Sequence, residues 1–353
     1  MDEHIFHDAE ESPPLCPPQP GSNMLVIGES EHGANRVIRD LIEETLELRG
    51  RVVIIDAEGA WSDDGAAVGG RAVRLAPGGP YPIDPFRAIR AAVEEYEFVE
   101  DLADLLAMVG GPETGEPTHY LRACLRRLLT ERPGRGKVGD LDLDEIYTAL
   151  MRVGGGEGAA GFAALRAAGG FGMLLGAEGA DPLFQGDLVQ LDLSAGSARS
   201  ARAHAIAIAI AVFLVHLDLF RRPAFERRSL VVVDGGGIFP RDAAGVGLLT
   251  RLMSYCGDYR ANVVLRIPGY RLAGDPDLRI DPLARLCETH VLFRQQLAGA
   301  RTYGAALARN SARALGQVLP GLAVEPGVRA EYLIAHADGR TLVREALLGR
   351  TRA

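Results

Sequence analysis

Asn23-Met24-Leu25-Val26-Ile27-Gly28-Glu29-Ser30-Glu31-His32-Gly33-Ala34-Asn35 is the stretch that decides the fold. An apolar strand, Asn23–Ile27, runs into a glycine turn, and a helical pattern follows. Gly28 and Gly33 have the spacing of the phosphate-binding loop G-x-x-x-x-G-K-[ST], in which backbone N–H groups cradle phosphates, the lysine reaches them and the hydroxyl holds Mg2+. Here the lysine position is Ala34 and the hydroxyl position is Asn35. The frame of a nucleotide site is present without its two chemical groups.

No other loop supplies the missing lysine, because Lys137 is the only lysine in the chain. Glu131 stands six residues before it, where glycine is required, and Val138 follows it, so this segment reads as a turn between helices. The 353 residues allow one large α/β domain or two. A net charge of −9 argues against a protein that coats nucleic acid, while leaving room for a local basic channel. The basic stretch Arg122, Arg126, Arg127, Arg132, Arg135 and Lys137 reads first as a solvated helix face, with DNA contact as the sharper alternative. Cys16, Cys124, Cys256 and Cys287 form no C-x-x-C pair, which fits reduced thiols in a cytoplasmic protein. The longest apolar run, Ala205 to Val215, is too short for a membrane span of about 20 residues and is expected as a buried helix.

Residues 1–22 are acidic and proline-rich and are expected as a disordered tail; His4 and His7 beside Asp2, Glu3 and Asp8 make at most a weak, incidental metal cluster. Residues 23–353 then read as one domain. Helix Ala34–Leu48 carries Val37, Ile38, Leu41, Ile42, Leu46 and Leu48 along one side, with Gly50 as its cap. Strands follow at Arg51–Asp56 and Arg71–Leu75. The strand signal then vanishes, and an all-helical insertion is expected over about 91–180. Strand Leu188–Leu193, helix Ser200–Phe220, strand Ser229–Asp234, helix Ala243–Tyr255 and strands Asn262–Ile267 and His290–Arg294 come next. Two short helices and the strand pair Glu331–Ala335 and Thr341–Glu345 complete the pattern. Alternating strands and helices imply a largely parallel α/β sheet with helices on both faces.

A nucleotide site of this kind needs a second element, an aspartate at the tip of another buried strand beside the first, often followed by a glutamate that polarises water. Leu230-Val231-Val232-Val233-Asp234 supplies the aspartate, a weak metal position by itself; Gly235 stands where the glutamate belongs.

The order of these segments resembles the C-terminal ATPase domain of VirB4/TraC-type conjugation and type IV secretion ATPases, within the HerA–FtsK superfamily. The matching positions are Asp56-Ala57-Glu58-Gly59, Ile83-Asp84-Pro85-Phe86, Asp192-Leu193-Ser194, Val231-Val232-Val233-Asp234 and Val291-Leu292-Phe293-Arg294, over roughly residues 23–345. The resemblance implies a RecA-like P-loop NTPase sheet. It also exposes the departures: Ala34, Asn35, Gly235, and a sensor strand Val263-Val264-Leu265-Arg266-Ile267 without the family's Thr-Gln.

Losing one electrostatic group of such a site typically costs 10²–10³ in rate, about 3–4 kcal/mol, so several losses leave essentially no turnover. Glu29 and Glu31 lie where phosphate approaches. At ~6 Å and an effective dielectric of 20, each repels a unit charge by up to roughly 3 kcal/mol. Weak or no ATP binding is expected, so no cofactor is expected, and ATP with Mg2+ only if the degenerate positions Gly28, Ser30, Gly33, Ala34, Asn35, Arg36, Asp234 and Gly235 still hold it. The leading expectation is a pseudo-ATPase that partners an active paralogue or a secretion/conjugation complex as a homo- or hetero-oligomer. It is placed in the cytoplasm, at the inner face of a membrane through those partners. Arg260, Arg266 and Arg294 are candidates for an arginine reaching a neighbour's site in trans. Two alternatives stand beside it. Arg36 could replace the lysine in an active ATPase of the same family, or Gly28-x-Ser30-x-x-Gly33 with Asp56 could be a Rossmann-type dinucleotide turn.

Overall fold

The computed structural model describes residues 6–7, 19, 21–28, 31–61, 70–74, 100, 101, 104, 105, 108, 148, 151, 186–194, 201–221, 227–235, 243–268, 281–294, 319–325, 329–336 and 341–347. Its strands are β1 (Phe6–His7), β2 (Asn23–Gly28), β3 (Arg51–Asp56), β4 (Arg71–Arg74), β5 (Leu188–Asp192), β6 (Ser229–Asp234), β7 (Ala261–Pro268), β8 (Cys287–Phe293), β9 (Val324–Glu325), β10 (Arg329–His336) and β11 (Thr341–Leu347). Its helices are α1 (Glu31–Glu47), α2 (Ala201–Arg221), α3 (Ala243–Tyr255) and α4 (Asp281–Ala284). The chain forms two compact units, Met1–Ile54 with Ala224–Pro240 and Met253–Ala353, and Ile55–Pro223 with Arg241–Leu252.

In the first unit the strands lie in the order β1-β11-β10-β8-β2-β7-β6-β3, with β9 on β10. β2 is parallel to both β7 and β8, and β6 is parallel to β7. β10 turns the sheet antiparallel against β8 and β11. Every residue of β2 and β6 is buried, which explains their unbroken apolar runs: strands covered on both faces do not alternate.

This order separates the readings left open by the sequence. A dinucleotide turn requires β3 beside β2, yet β7 and β6 stand between them. The aspartate strand β6 is also not immediately beside β2, as expected from sequence; β7 intervenes. Sequence periodicity reports that a strand is buried and is silent on its rank in a sheet.

Helix α1 buries Val37, Ile38, Leu41, Ile42 and Thr45, a stripe at helical spacing, each large apolar member contributing about 1.5–3 kcal/mol. The stripe stops short of Leu46 and Leu48, which sequence placed on it; Leu48 lies beyond the helix end and is 62% exposed. The helix ends in a Schellman turn: Gly50 N donates to Thr45 O at 2.8 Å and Arg49 N to Leu46 O at 2.9 Å. Arg49, at φ 57°, is the left-handed residue, not Gly50. Gly50 is required for room instead, since a Cβ there would lie 2.7 Å from the Thr45 side chain.

At the other end of the parallel strands Asn23 ties four segments together. Its Nδ2 donates to Met253 O (2.9 Å) and Leu286 O (3.1 Å), and its Oδ1 accepts from Val263 N and Cys256 Sγ (both 3.1 Å). Burial pushes the Cys256 thiol up to about 11 and the Cys287 thiol higher still, so both are inert packing groups. Phe6 and His7, assigned by sequence to a tail without structure, instead form β1, parallel to β11.

In the second unit β5 lies between the end of β3 and β4, and β4 and β5 are parallel. Residues 204–220 of α2 are buried or half-buried, as their all-round apolar sequence requires. No helix among the described residues is long and apolar enough to cross a membrane. Every described residue between 91 and 180 is helical: 100, 101, 104, 105, 108, 148 and 151. The basic stretch 122–137 and the motif at 83–86 lie outside the described residues.

Candidate nucleotide site

Parallel strands bring Gly28, Asp234 and Arg294 to one edge of the first unit. β2 ends at Gly28 and α1 begins at Glu31, so only residues 29 and 30 separate strand from helix. Half of the four-residue span between Gly28 and Gly33 is therefore helical. The first N–H groups of α1 thus fall inside the motif, from Glu31 on. Ser30 lies outside the described residues.

Gly28 has a packing explanation independent of any ligand. Its φ is +145°, and a Cβ on it would sit 2.5 Å from Phe293 Cβ. Glycine is thus imposed by the close approach of β8. Gly33 and Ala34 are buried, and Ala34 belongs to the aliphatic core. Asn35 follows half-buried, and its Oδ1 is buried without a hydrogen-bond partner. Arg36, the group that could replace lysine, pairs along the helix: its Nη2 lies 2.8 Å from Asp40 Oδ1, four residues further along α1.

Asp234 is 2% exposed and does not stand open to a metal. Arg266 Nη1 donates to both of its oxygens, at 2.8 Å to Oδ1 and 2.7 Å to Oδ2. Arg266 is itself only 7% exposed. It was expected among arginines able to reach a neighbour; burial and this ion pair commit it to its own chain. The sequence carried a usable signal, because one guanidinium in a run of buried aliphatics demands a buried counter-charge. Gly235 follows at φ +88°, a conformation a glutamate rarely adopts.

The other two arginines separate. Arg294 is exposed, immediately after the end of β8 and on the same edge as Gly28. Arg260 is exposed at the start of β7, at φ 53°, which puts it on the opposite edge, one strand of eight residues away or about 25 Å.

Asp56, the candidate ribose ligand of a dinucleotide turn, is fully buried and occupied. Its Oδ1 accepts from Gly59 N (2.8 Å) and Ala60 N (3.0 Å), and its Oδ2 from Trp61 N (3.0 Å) and Gln190 Nε2 (2.9 Å). Asp192 acts alike, its Oδ1 accepting from Ser194 N (2.9 Å) and Ser194 Oγ (2.6 Å). Both carboxylates organise local turns, with Asp56 tied also to Gln190 of β5 and Asp192 lying 3.5 Å from Arg74 Nε. Sequence reasoning missed a further buried network: Asp101 meets His216 Nδ1 (2.7 Å) and Arg251, which also binds Asp104. Its residues are distant in sequence, and no local spacing announces it.

No protein-family model matches the chain, and no curated protein matches it. Solved structures do. VirB4 of Thermoanaerobacter pseudethanolicus superposes with a TM-score of 0.67 at 15% identity, over 91% of this chain and 88% of that one. The chain has the RecA-like P-loop NTPase fold. The plasmid coupling protein TrwB in complex with the GTP analogue GDPNP superposes with a TM-score of 0.60 at 13% identity, over 99% of this chain and 89% of that one. Unbound TrwB gives 0.54 at 14% identity, over 94% and 78%.

A metal-bound nucleotide does not fit the residues present. The aspartate that would hold the metal already has a cation on both oxygens, the lysine position is a buried alanine, and the hydroxyl position offers a carboxamide oxygen.

Proposed function

We propose that this chain is a catalytically silent P-loop ATPase, a structural or regulatory partner of an active motor in a secretion, conjugation or DNA-translocation assembly. One observation carries the reading: in the first turns of α1, buried Ala34 and half-buried Asn35 stand where the phosphate-binding lysine and the metal-binding hydroxyl belong. Fold similarity to VirB4 and to the coupling protein TrwB supports the type of assembly. The position of Arg294 supports a contact in which this chain lends an arginine to a neighbouring active site. The working place is the cytoplasm, reaching the inner face of a membrane through partners. Arg36 bound to Asp40 speaks against an active enzyme with a relocated cation.

Calorimetry with ATP and Mg2+, alongside a phosphate-release assay, tests the silent site. The expected result is no binding at micromolar nucleotide and no release above buffer. Micromolar affinity with Mg2+-dependent turnover sinks the proposal. With a VirB4-type ATPase as partner, Arg294→Ala is expected to remove any stimulation that wild type gives.

A further inference from the structure

Position 266 breaks the pattern of its strand. Val263, Val264, Leu265 and Ile267 are buried aliphatics, and a guanidinium among them is tolerated only with a counter-charge close by. The ladder supplies one. Val233 pairs with Leu265 in the parallel β6–β7 register, so the next positions, 234 and 266, are neighbours. On the other side Val26 of β2 pairs with Arg266, two residues before Gly28. Arg266 thus lies in the row between the glycine turn and the aspartate, where the chemistry of this fold places a cation.

We infer that Arg266 is a tethered cation that takes the place of the divalent ion at Asp234; this rests on the silent-site reading above. A single nitrogen, Nη1, spans both carboxylate oxygens at 2.7 and 2.8 Å, as one small cation would. The pair is neutral as a unit, so no charge remains to draw in a dication. Both oxygens already accept a charge-assisted hydrogen bond. The tether also makes the link permanent: a metal comes and goes with nucleotide, whereas Arg266 holds β6 to β7 at this edge in every state of the chain. The substitution in the sensor strand and the loss of metal chemistry are then one event, with a structural gain attached.

Mn2+ titration of the full chain, followed by the free-ion electron paramagnetic resonance signal, tests this without any nucleotide. Wild type is expected to hold no Mn2+ that Asp234→Asn removes. Arg266→Gln is expected to gain one weak site, with affinity up by on the order of 10³-fold or more, the effect of removing a unit charge at ~4 Å in an effective dielectric of 20. Arg266→Gln with Asp234→Asn is expected to lose it again. A wild-type site abolished by Asp234→Asn overturns the inference, and so does a folded Arg266→Gln protein that gains none. Should Arg266→Gln fail to fold by circular dichroism, the comparison of wild type with Asp234→Asn decides alone: identical isotherms uphold the inference, a lost site ends it. These outcomes are independent of ATP turnover, so the silent-site reading stands or falls separately.

Discussion

Two aspartates end two buried strands of this protein, and they are kept in opposite ways. Asp56 is surrounded by neutral donors, three backbone N–H groups and the Gln190 amide. Asp234 is met by a full positive charge, Arg266. The first arrangement builds a turn: the carboxylate organises residues 57–61 and would do so in any protein. The second neutralises a buried charge. Two residues with the same place at a strand tip therefore differ in kind, one organising a turn and the other tying its strand to a guanidinium 32 residues away in sequence.

The difference is sharpest in double mutants, where the largest effects are expected. Arg266→Met strands a buried carboxylate and is expected to cost about 3–5 kcal/mol. Adding Asp234→Leu removes the orphaned charge, and most of that loss should return. Asp56→Ala, which orphans several donors, is expected to cost about 2–4 kcal/mol. A second substitution cannot repair it, because Gly59, Ala60 and Trp61 meet the carboxylate through main-chain groups. Urea unfolding of the three variants beside wild type reads this directly. Failure of Asp234→Leu to rescue Arg266→Met would break the comparison at its root.

Acid probes a different buried group of the first unit, His290. His290 is 5% exposed, and burial, with a smaller push from His336, drives its imidazole down to about 4; a hydrogen bond from Nε2 to Cys287 O at 3.0 Å works the other way. Its folded value is below the usual 6.5, so the unfolded chain binds the proton more readily. Stability from this group is complete above pH 6.5 and is lost as pH falls toward 4, about 2 kcal/mol of it by pH 5. His290→Gln, which keeps a donor for Cys287 O, should flatten this part of the profile.

Much of this was legible in the sequence, and the limits have physical causes. β2, β6, α1 and α2 announce themselves because burial on both faces, or on a helical stripe, leaves a periodic trace. The absent lysine, hydroxyl and glutamate are read at fixed spacing. Strand rank is different: β7 between β2 and β6 follows from packing of distant segments, which no local pattern records. The partner of Arg266 was within reach, since a buried arginine requires an acid and Asp234 ends the neighbouring buried strand; reading the arginine as a surface group hid it. Arg49 shows a subtler failure. Glycine at position 50 suggested the left-handed cap, but the chain places the strained torsion one residue earlier and uses the glycine for clearance.

The smallest expected effects lie in the glycines that follow the two aspartates. Gly59 has φ +79° and Gly235 φ +88°, both left-handed, so alanine at either is expected to cost about 1 kcal/mol from the backbone alone. At Gly59 a Cβ would also meet Ser194 Cβ at 3.0 Å and Oγ at 3.3 Å, while Asp56 Oδ1 holds the Gly59 N–H in place. The turn cannot relax without giving up that hydrogen bond, so Gly59→Ala should reach about 2 kcal/mol. The Asp234 carboxylate is held by Arg266 from the side, and Gly235→Ala should therefore stay near 1 kcal/mol. Thermal unfolding of the two alanine variants resolves a difference of this size. Equal losses would mean that the turn after Asp234 is as tightly organised as the one after Asp56, and that the contrast between them is one of charge alone.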